Sequence, residues 1–268
     1  MDARTRQSEI LTLLQQQERV EVDALASRFD VSSQTIRTDL RELSERGLLS
    51  RVHGGAVRLS SAASRDYTER RKLNGLAKEK MGVLAAELIP ENCSVTLNIG
   101  TSTEQVARAL AGHQGLTVLS NNINIISMLM DSRNQELILV GGAVRPSDGA
   151  IVGEDAVEFI SRYKTDFAII GASALDEDGA ILDHDAREVS VARAILKNAR
   201  TRILVCDGSK FERSAPVRIC AVSDLDVLIT DRAPPAAFAK VAKAAGTRIL
   251  VTGETERTET ESRKHDTE

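Results

Sequence analysis

The chain has 268 residues, of which 42% are hydrophobic and 28% charged, and its formal net charge is -4 at pH 7. That length accommodates one large or two smaller globular domains, and the acidic balance excludes a globally basic nucleic-acid binder. No apolar run approaches the roughly 20 residues that cross a bilayer, and the opening MDARTRQSEI lacks the charged-then-apolar order of a signal peptide.

Cys93, Cys206 and Cys220 have neither metal-ligand nor redox spacing. Reduced thiols in a cytoplasmic protein, with no metal and no cofactor, are the expectation.

The periodicity of Ile10, Leu11, Leu13 and Leu14 predicts a first helix over 4–17. A short extended stretch follows at 20–22, and Asp23 is placed to cap a second helix that buries Leu25, Ala26 and Phe29. The segment 31–43 (VSSQTIRTDLREL) predicts a third. Ser32 and Ser33 can each accept from the free N–H groups of a helix start, and Ile36, Leu40 and Leu43 form a narrow apolar stripe. The other face carries Gln34, Arg37, Thr38 and Arg41. Hydrogen-bonding side chains in the first turns, with arginines beside them, suit the major groove of DNA. Gly47 suits the left-handed position that closes such a helix. Residues 48–52 and 56–59 flank His53-Gly54-Gly55 and read as a hairpin with a glycine turn. Three helices and a two-stranded ribbon make a winged helix-turn-helix over 1–59; a plain small helical domain with a hairpin is the alternative. Residues 1–58 hold nine Arg and nine Asp or Glu, so any basic surface is local and non-specific affinity for DNA modest.

Residues 60–80 read as a linker, with Arg70-Arg71-Lys72 on a solvated helix face. From Met81 the pattern alternates. Strands are expected at 94–97, 116–119, 136–140, 167–170, 202–205, 226–229 and 248–251. Helices are expected at 103–110, 156–162, 188–198 and 236–245. This is the signature of an α/β domain, over 81–252, with a mainly parallel sheet. Ligands of such sheets bind outside the carboxyl ends of the strands. The tail 253–268 has no apolar periodicity and is expected to be disordered.

Several strand ends are polar. Residues 98–103 (NIGTST) run from a strand into a helix, where backbone N–H groups and hydroxyls form a phosphate cradle. Ser120-Asn121-Asn122, Gly141–Arg145 and Asp207–Lys210 close other strands. Together, with Arg145 and Lys210 as cations, they describe a pocket for a small anionic polyol.

These motifs bring a resemblance into view. VSSQTIRTDLREL and GLLSRVHGGA in the first region, with NIGTSTEQVA, SNN, GGAVRPSDGAIVGE, DFAIIGASALDEDG and CDGSKF in the second, resemble the DeoR family of bacterial transcriptional regulators, and within it the glycerol-3-phosphate regulon repressors. The resemblance runs from Arg4 to about Val251. It implies a winged helix joined to a sensor domain with a fold like ribose-5-phosphate isomerases and CoA transferases. It also implies an effector that is a phosphorylated sugar or polyol, with glycerol 3-phosphate the first candidate, and assembly into dimers or tetramers. The implied effector contacts are Gly100, Thr101, Ser102, Thr103, Asn121, Asn122, Gly141, Arg145 and Lys210.

The expected contacts to double-stranded operator DNA are Ser32, Ser33, Gln34, Thr35, Arg37, Thr38, Arg41, Arg51, His53, Gly54 and Gly55. Gln34 and Arg37 would read bases; Thr35, Arg41, Arg51 and the glycine wing would position the backbone. Two residues depart from the family pattern. Thr38 stands where the family usually has Arg, and Asn98 where it favours Asp, so the strand end lacks a general base. A sugar-phosphate isomerase-like enzyme, moving a proton on Glu154, Asp183 or Asp185, is the rival reading. A second domain serving only dimerisation is a third. His113 and His184 are isolated and suggest neither metal nor catalysis.

Overall fold

The computed structural model describes residues 2–17, 19–45, 49–52, 54–57, 67–132 and 135–253, in two compact units, Met1–Asp66 and Tyr67–Glu268. The expected cap Gly47, wing residue His53, linker residues 60–66 and the tail from 254 onward lie outside the described residues.

The first unit runs α1 (Ala3–Gln16), β1 (Arg19–Glu21), α2 (Val22–Phe29), α3 (Ser33–Glu45), β2 (Ser50–Val52) and β3 (Gly55–Val57). Ile10 and Leu14, Leu25 and Phe29, and the Ile36–Leu40–Leu43 stripe close on one core. The ribbon has three strands rather than two, antiparallel and ordered β1-β3-β2. Gly55 permits it, because a Cβ there would lie 2.0 Å from the Val20 carbonyl oxygen. Asp23 does not cap α2, which starts one residue earlier without a side-chain cap. Its carboxylate instead accepts from the Ser33 hydroxyl at 2.9 Å, tying α2 to α3. Asp30 makes the turn between them in the left-handed region, φ 52°, a conformation Asp tolerates.

A buried ion pair fixes α3 on α1. Arg6 donates through Nε to Asp39 Oδ2 at 2.6 Å and through Nη2 to Oδ1 at 3.1 Å. Gln7 donates to Asp39 and to Glu42, at 3.3 and 2.7 Å. Both ionic side chains are more than nine-tenths buried, where a charge is tolerable only when paired and hydrogen-bonded.

The second unit opens with α4 (Tyr67–Lys72) and α5 (Gly75–Ala86). Residues 67–80 are therefore part of this unit and not linker. There follow β4 (Ser94–Leu97), α6 (Thr101–Leu110), β5 (Thr117–Ser120), α7 (Ile123–Leu129), β6 (Glu136–Leu139), β7 (Val144–Arg145), β8 (Ala150–Ile151) and α8 (Glu154–Ser161). Then come β9 (Thr165–Ile170), β10 (Ala174–Leu175), β11 (Ala180–Asp183), α9 (Ala186–Lys197), β12 (Ala199–Val205), β13 (Val217–Ala221), β14 (Val227–Thr230), α10 (Ala236–Ala245) and β15 (Arg248–Val251).

Seven strands pair in parallel in the order β15-β14-β12-β9-β4-β5-β6. Strand residues alternate between two cores, as the period of two requires. Ile169, Ile203 and Val205 meet Met81, Val106 and Ile125 on one face. Ala168, Ile170 and Leu204 meet Ile160, Ile195 and Phe238 on the other. The chain leaves β4 toward β5 and β6, then returns to build β9, β12, β14 and β15 on the opposite side. A crevice opens at such a reversal, outside the carboxyl ends of β4 and β9. Beyond those ends stands a small antiparallel sheet, β10-β11-β13, with a hairpin of β7 and β8 nearby in sequence.

Removing one partner of a buried pair strands the other charge. Asp39→Ala is expected to destabilise the first unit by about 3–5 kcal/mol, measured by denaturant unfolding. A loss below about 1 kcal/mol, the value of a surface pair, would show that Arg6–Asp39 does not hold α3.

Candidate nucleic-acid interface and effector site

Gln34, Arg37 and Arg41 occupy one face of α3 and are exposed, as their spacing requires. The hydroxyls beside them are used within the fold. Ser32 Oγ accepts from the Thr35 N–H at 3.1 Å and shares a hydrogen bond of 2.9 Å with Thr35 Oγ1, so Ser32 is the cap. Ser33 is bonded to Asp23. Thr38 is half-buried and donates to the Gln34 carbonyl at 3.1 Å. Gly54 turns the wing with φ 79° and its carbonyl accepts from the Val22 N–H at 2.9 Å. Arg51 lies in β2.

In the second unit a cleft occupies the reversal between β4 and β9. Asn98 to Ser102 form one wall, Gly171 to Ser173 the facing one, and Asn122 and Asp207 come from the ends of β5 and β12. Lys210 and Arg213 follow β12, Lys78 reaches in from α5, and Tyr67 and Arg70 from α4. Asp183 of β11 and Glu188 of α9 add carboxylates. Gly100 starts α6 with φ 141°, a backbone state only glycine adopts without strain. The first N–H groups of α6 have no acceptor within the helix, as at any helix start, and they border the cleft at Thr101 and Ser102. The Asn98 Oδ1 atom is buried with no hydrogen-bond partner among the described residues, an acceptor that a ligand hydroxyl can satisfy.

Family models match both units. A DeoR-like helix-turn-helix domain matches residues 6–62 and a DeoR C-terminal sensor domain matches residues 73–232. The chain belongs to the DeoR family. It is a DNA-binding transcriptional regulator. The glycerol-3-phosphate regulon repressor of Haemophilus influenzae is 42% identical over 85% of this chain and 89% of its own. That of Escherichia coli is 40% identical over 88% of this chain and 94% of its own. The E. coli transcriptional repressor CsqR is 34% identical over 87% and 89%. These relatives are named as repressors and not as enzymes. A ribose 5-phosphate isomerase A from Methanocaldococcus jannaschii superposes with a TM-score of 0.39 at 15% identity, covering 52% of this chain and 55% of that one.

Of the effector contacts expected for this DeoR-family regulator, Gly100, Thr101, Ser102, Asn122 and Lys210 line the cleft. Four do not. Thr103 is fully buried and donates to the Gly100 carbonyl at 2.8 Å. Asn121 is buried and donates to the Ile151 carbonyl at 3.1 Å. Gly141 is exposed beside Phe159. Arg145 pairs with Asp148, Asp185 and Glu188 at 2.6, 3.4 and 2.5 Å, binding the β7–β8 hairpin to the start of α9.

Among the carboxylates weighed for enzyme chemistry, only Asp183 reaches the cleft. Asp185 caps α9, and Glu154 is exposed in the first turn of α8. His113 is bonded to the Ile89 carbonyl at 3.0 Å. Tyr67, Arg70, Lys78, Glu188 and Arg213 also line the cleft, outside the expected contacts. The basic run 70–72 was the available signal. Arg70, expected on a solvated face, turns inward.

Like charges crowd one end of the cleft. Burial lowers the Lys78 ammonium to about 8; Asp207 opposes that shift, while Lys210, Arg70 and Arg213 add to it. Burial also lowers Lys210; Arg213 and Arg70 add to that shift and Asp207 opposes it. Burial raises the Asp207 carboxyl, yet Ser209, Lys210, Asn74 and Lys78 outweigh it and hold Asp207 below the usual range. Burial and the neighbouring Asp183 raise Glu188, against the pull of Arg145. The arrangement combines cations for a phosphate with carboxylates and an amide for hydroxyls.

On the DNA face, Arg37→Ala is expected to cost about 1–3 kcal/mol on the preferred operator and to relax sequence choice. Equal loss on specific and random DNA, measured by fluorescence anisotropy, would assign Arg37 to the phosphate backbone instead. In the second unit, Arg145→Ala is expected to lower thermal stability through the stranded Glu188 and Asp148. Unchanged melting with lost ligand binding would place Arg145 in the cleft.

Proposed function

We infer that this regulator represses genes of glycerol 3-phosphate or related sugar-phosphate metabolism in the cytoplasm, and that a phosphorylated metabolite releases it from its operator. The observation that carries the reading is the cleft itself. Cations, helix-start N–H groups and hydroxyl acceptors meet at the reversal of strand order. The names of the two glycerol-3-phosphate regulon repressors make glycerol 3-phosphate the first effector to test.

Its phosphate fits the end bearing Lys210 and Lys78, with the Gly100–Ser102 turn beside it; its hydroxyls fit Asn98, Asp183 and Glu188. On DNA, Gln34 and Arg37 read base edges, and Arg41, Arg51 and the Gly54-Gly55 turn position the backbone. Two copies of α3 in a homo-dimer or homo-tetramer reach half-sites about 34 Å apart or a multiple of it. Effector binding shifts the protein toward a state with lower operator affinity, by no more than the effector's difference in affinity for the two states.

The test is operator release by glycerol 3-phosphate, using DNA selected by the purified protein. Wild type is expected to dissociate as effector rises. Lys210→Ala is expected to bind operator as wild type does and to stay bound at effector concentrations that release wild type. Release of both proteins at the same concentration would remove Lys210 from the site.

A further inference from the structure

The short helix α4 spans the cleft, anchored at both ends by side-chain bonds. At its start, the Tyr67 hydroxyl donates to Glu104 of α6 and accepts from Asn124 of α7, the latter at 2.9 Å. Arg71 pairs with Glu104 at 3.6 Å, and that carboxylate is fully buried. At its other end, Lys78 donates to the Arg70 and Leu73 carbonyls at 2.5 and 2.8 Å, closing the last turn. Asn74 donates to Asp207 at 2.9 Å, next to Lys210. One anchor therefore sits on the helices that follow β4 and β5, the other on the end of β12.

Between the anchors, Arg70 faces the cleft with its Nε atom buried and without a hydrogen-bond partner among the described residues. A buried guanidinium N–H without an acceptor is unfavourable. The acidic groups of the cleft are otherwise engaged: Asp207 by Ser209 and Asn74, Glu188 and Asp148 by Arg145, and Asp183 by Ser173. A ligand oxyanion supplies the missing acceptor. It would also lie beside Lys78, whose ammonium closes the end of the same helix.

We propose that α4 is part of effector recognition: Arg70 and Lys78 bind the effector's phosphate, and the occupied cleft thereby fixes α4, the first element of the second unit. Tyr67 is the first residue of the second unit, so whatever holds α4 holds the point where the chain enters that unit. Tyr67 acts as a positioning residue, through Glu104 and Asn124. This rests on the reading that the cleft takes a phosphorylated metabolite.

The experiment uses the full chain, with glycerol 3-phosphate and inorganic phosphate as probes in calorimetry and operator release as a second readout. Arg70→Ala is expected to weaken both probes by about ten-fold or more, the loss of a charged hydrogen bond, and Arg70→Lys to recover part of it. Tyr67→Phe is expected to keep effector affinity within about three-fold, since the hydroxyl does not touch phosphate, while saturating effector releases much less operator DNA. Circular dichroism checks that each variant is folded; if Arg70→Ala is not, Arg70→Lys carries the comparison. Unchanged probe affinity in the Arg70 variants, or full release by Tyr67→Phe, overturns the proposal. Failure of the wild type to bind either probe would instead overturn the effector reading beneath it.

Discussion

Arg70, Lys78, Lys210 and Arg213 converge on Asp207 at the end of a parallel sheet, and that concentration of like charge governs the sensor unit. Burial strengthens each repulsion because water no longer screens it. Burial is the largest cause of the lowered pKa values of Lys78 and Lys210, and the neighbouring cations add to it. Asp207 offsets part of it and is itself held by Ser209 and Asn74. An anion in the cleft relieves the rest. On the proposed reading an anionic ligand draws on this electrostatic imbalance, and a neutral polyol would draw on little of it.

The fold creates the imbalance through topology. The reversal of strand order after β6 opens the crevice, and parallel strands direct their polar ends to the same edge. α4 and α5, the first two elements of this unit, bring Arg70 and Lys78 to that edge. Within the first unit the controlling interaction is also ionic. The Arg6–Asp39 pair fixes α3, and Asp30 sets its approach from α2. The result leaves Gln34, Arg37 and Arg41 exposed on one face of α3. Thr38 folds its hydroxyl back onto the helix, so this position of the exposed face presents no cation.

Much of this was legible in the sequence because it depends on local pattern. The stripe of Ile36, Leu40 and Leu43 and the strands at 94–97 and 248–251 follow from periodicity. The Gly100 turn follows from a glycine between a strand and a helix-capping run. What was missed depends on contacts distant in sequence. Nothing local distinguishes Thr103 and Asn121, which serve the backbone, from Ser102 and Asn122, which border the cleft. Arg145 resembles a phosphate ligand in the sequence because two of its three partners, Asp185 and Glu188, lie 40 or more residues away; the third, Asp148, is local. The two-residue strand β10 is too short to show alternation. Residues 67–80 read as linker because their charge density hides one inward Arg and one buried Lys among solvated neighbours.

On the proposed reading, a phosphate dianion is held by cations whose charge burial disfavours. It is tested most directly by counting protons. Glycerol 3-phosphate is titrated at pH 8 in buffers of different ionisation enthalpy. A phosphate monoester with a second pKa of about 6 is already fully ionised there, whereas burial brings the Lys78 ammonium down to about 8, so it is only partly protonated in the free protein. Binding should raise the Lys78 pKa and draw a net fraction of a proton from the buffer. Tight binding with no proton uptake, or with proton release, would mean that the phosphate does not lie against Lys78 and that the cationic end of the cleft is not its site.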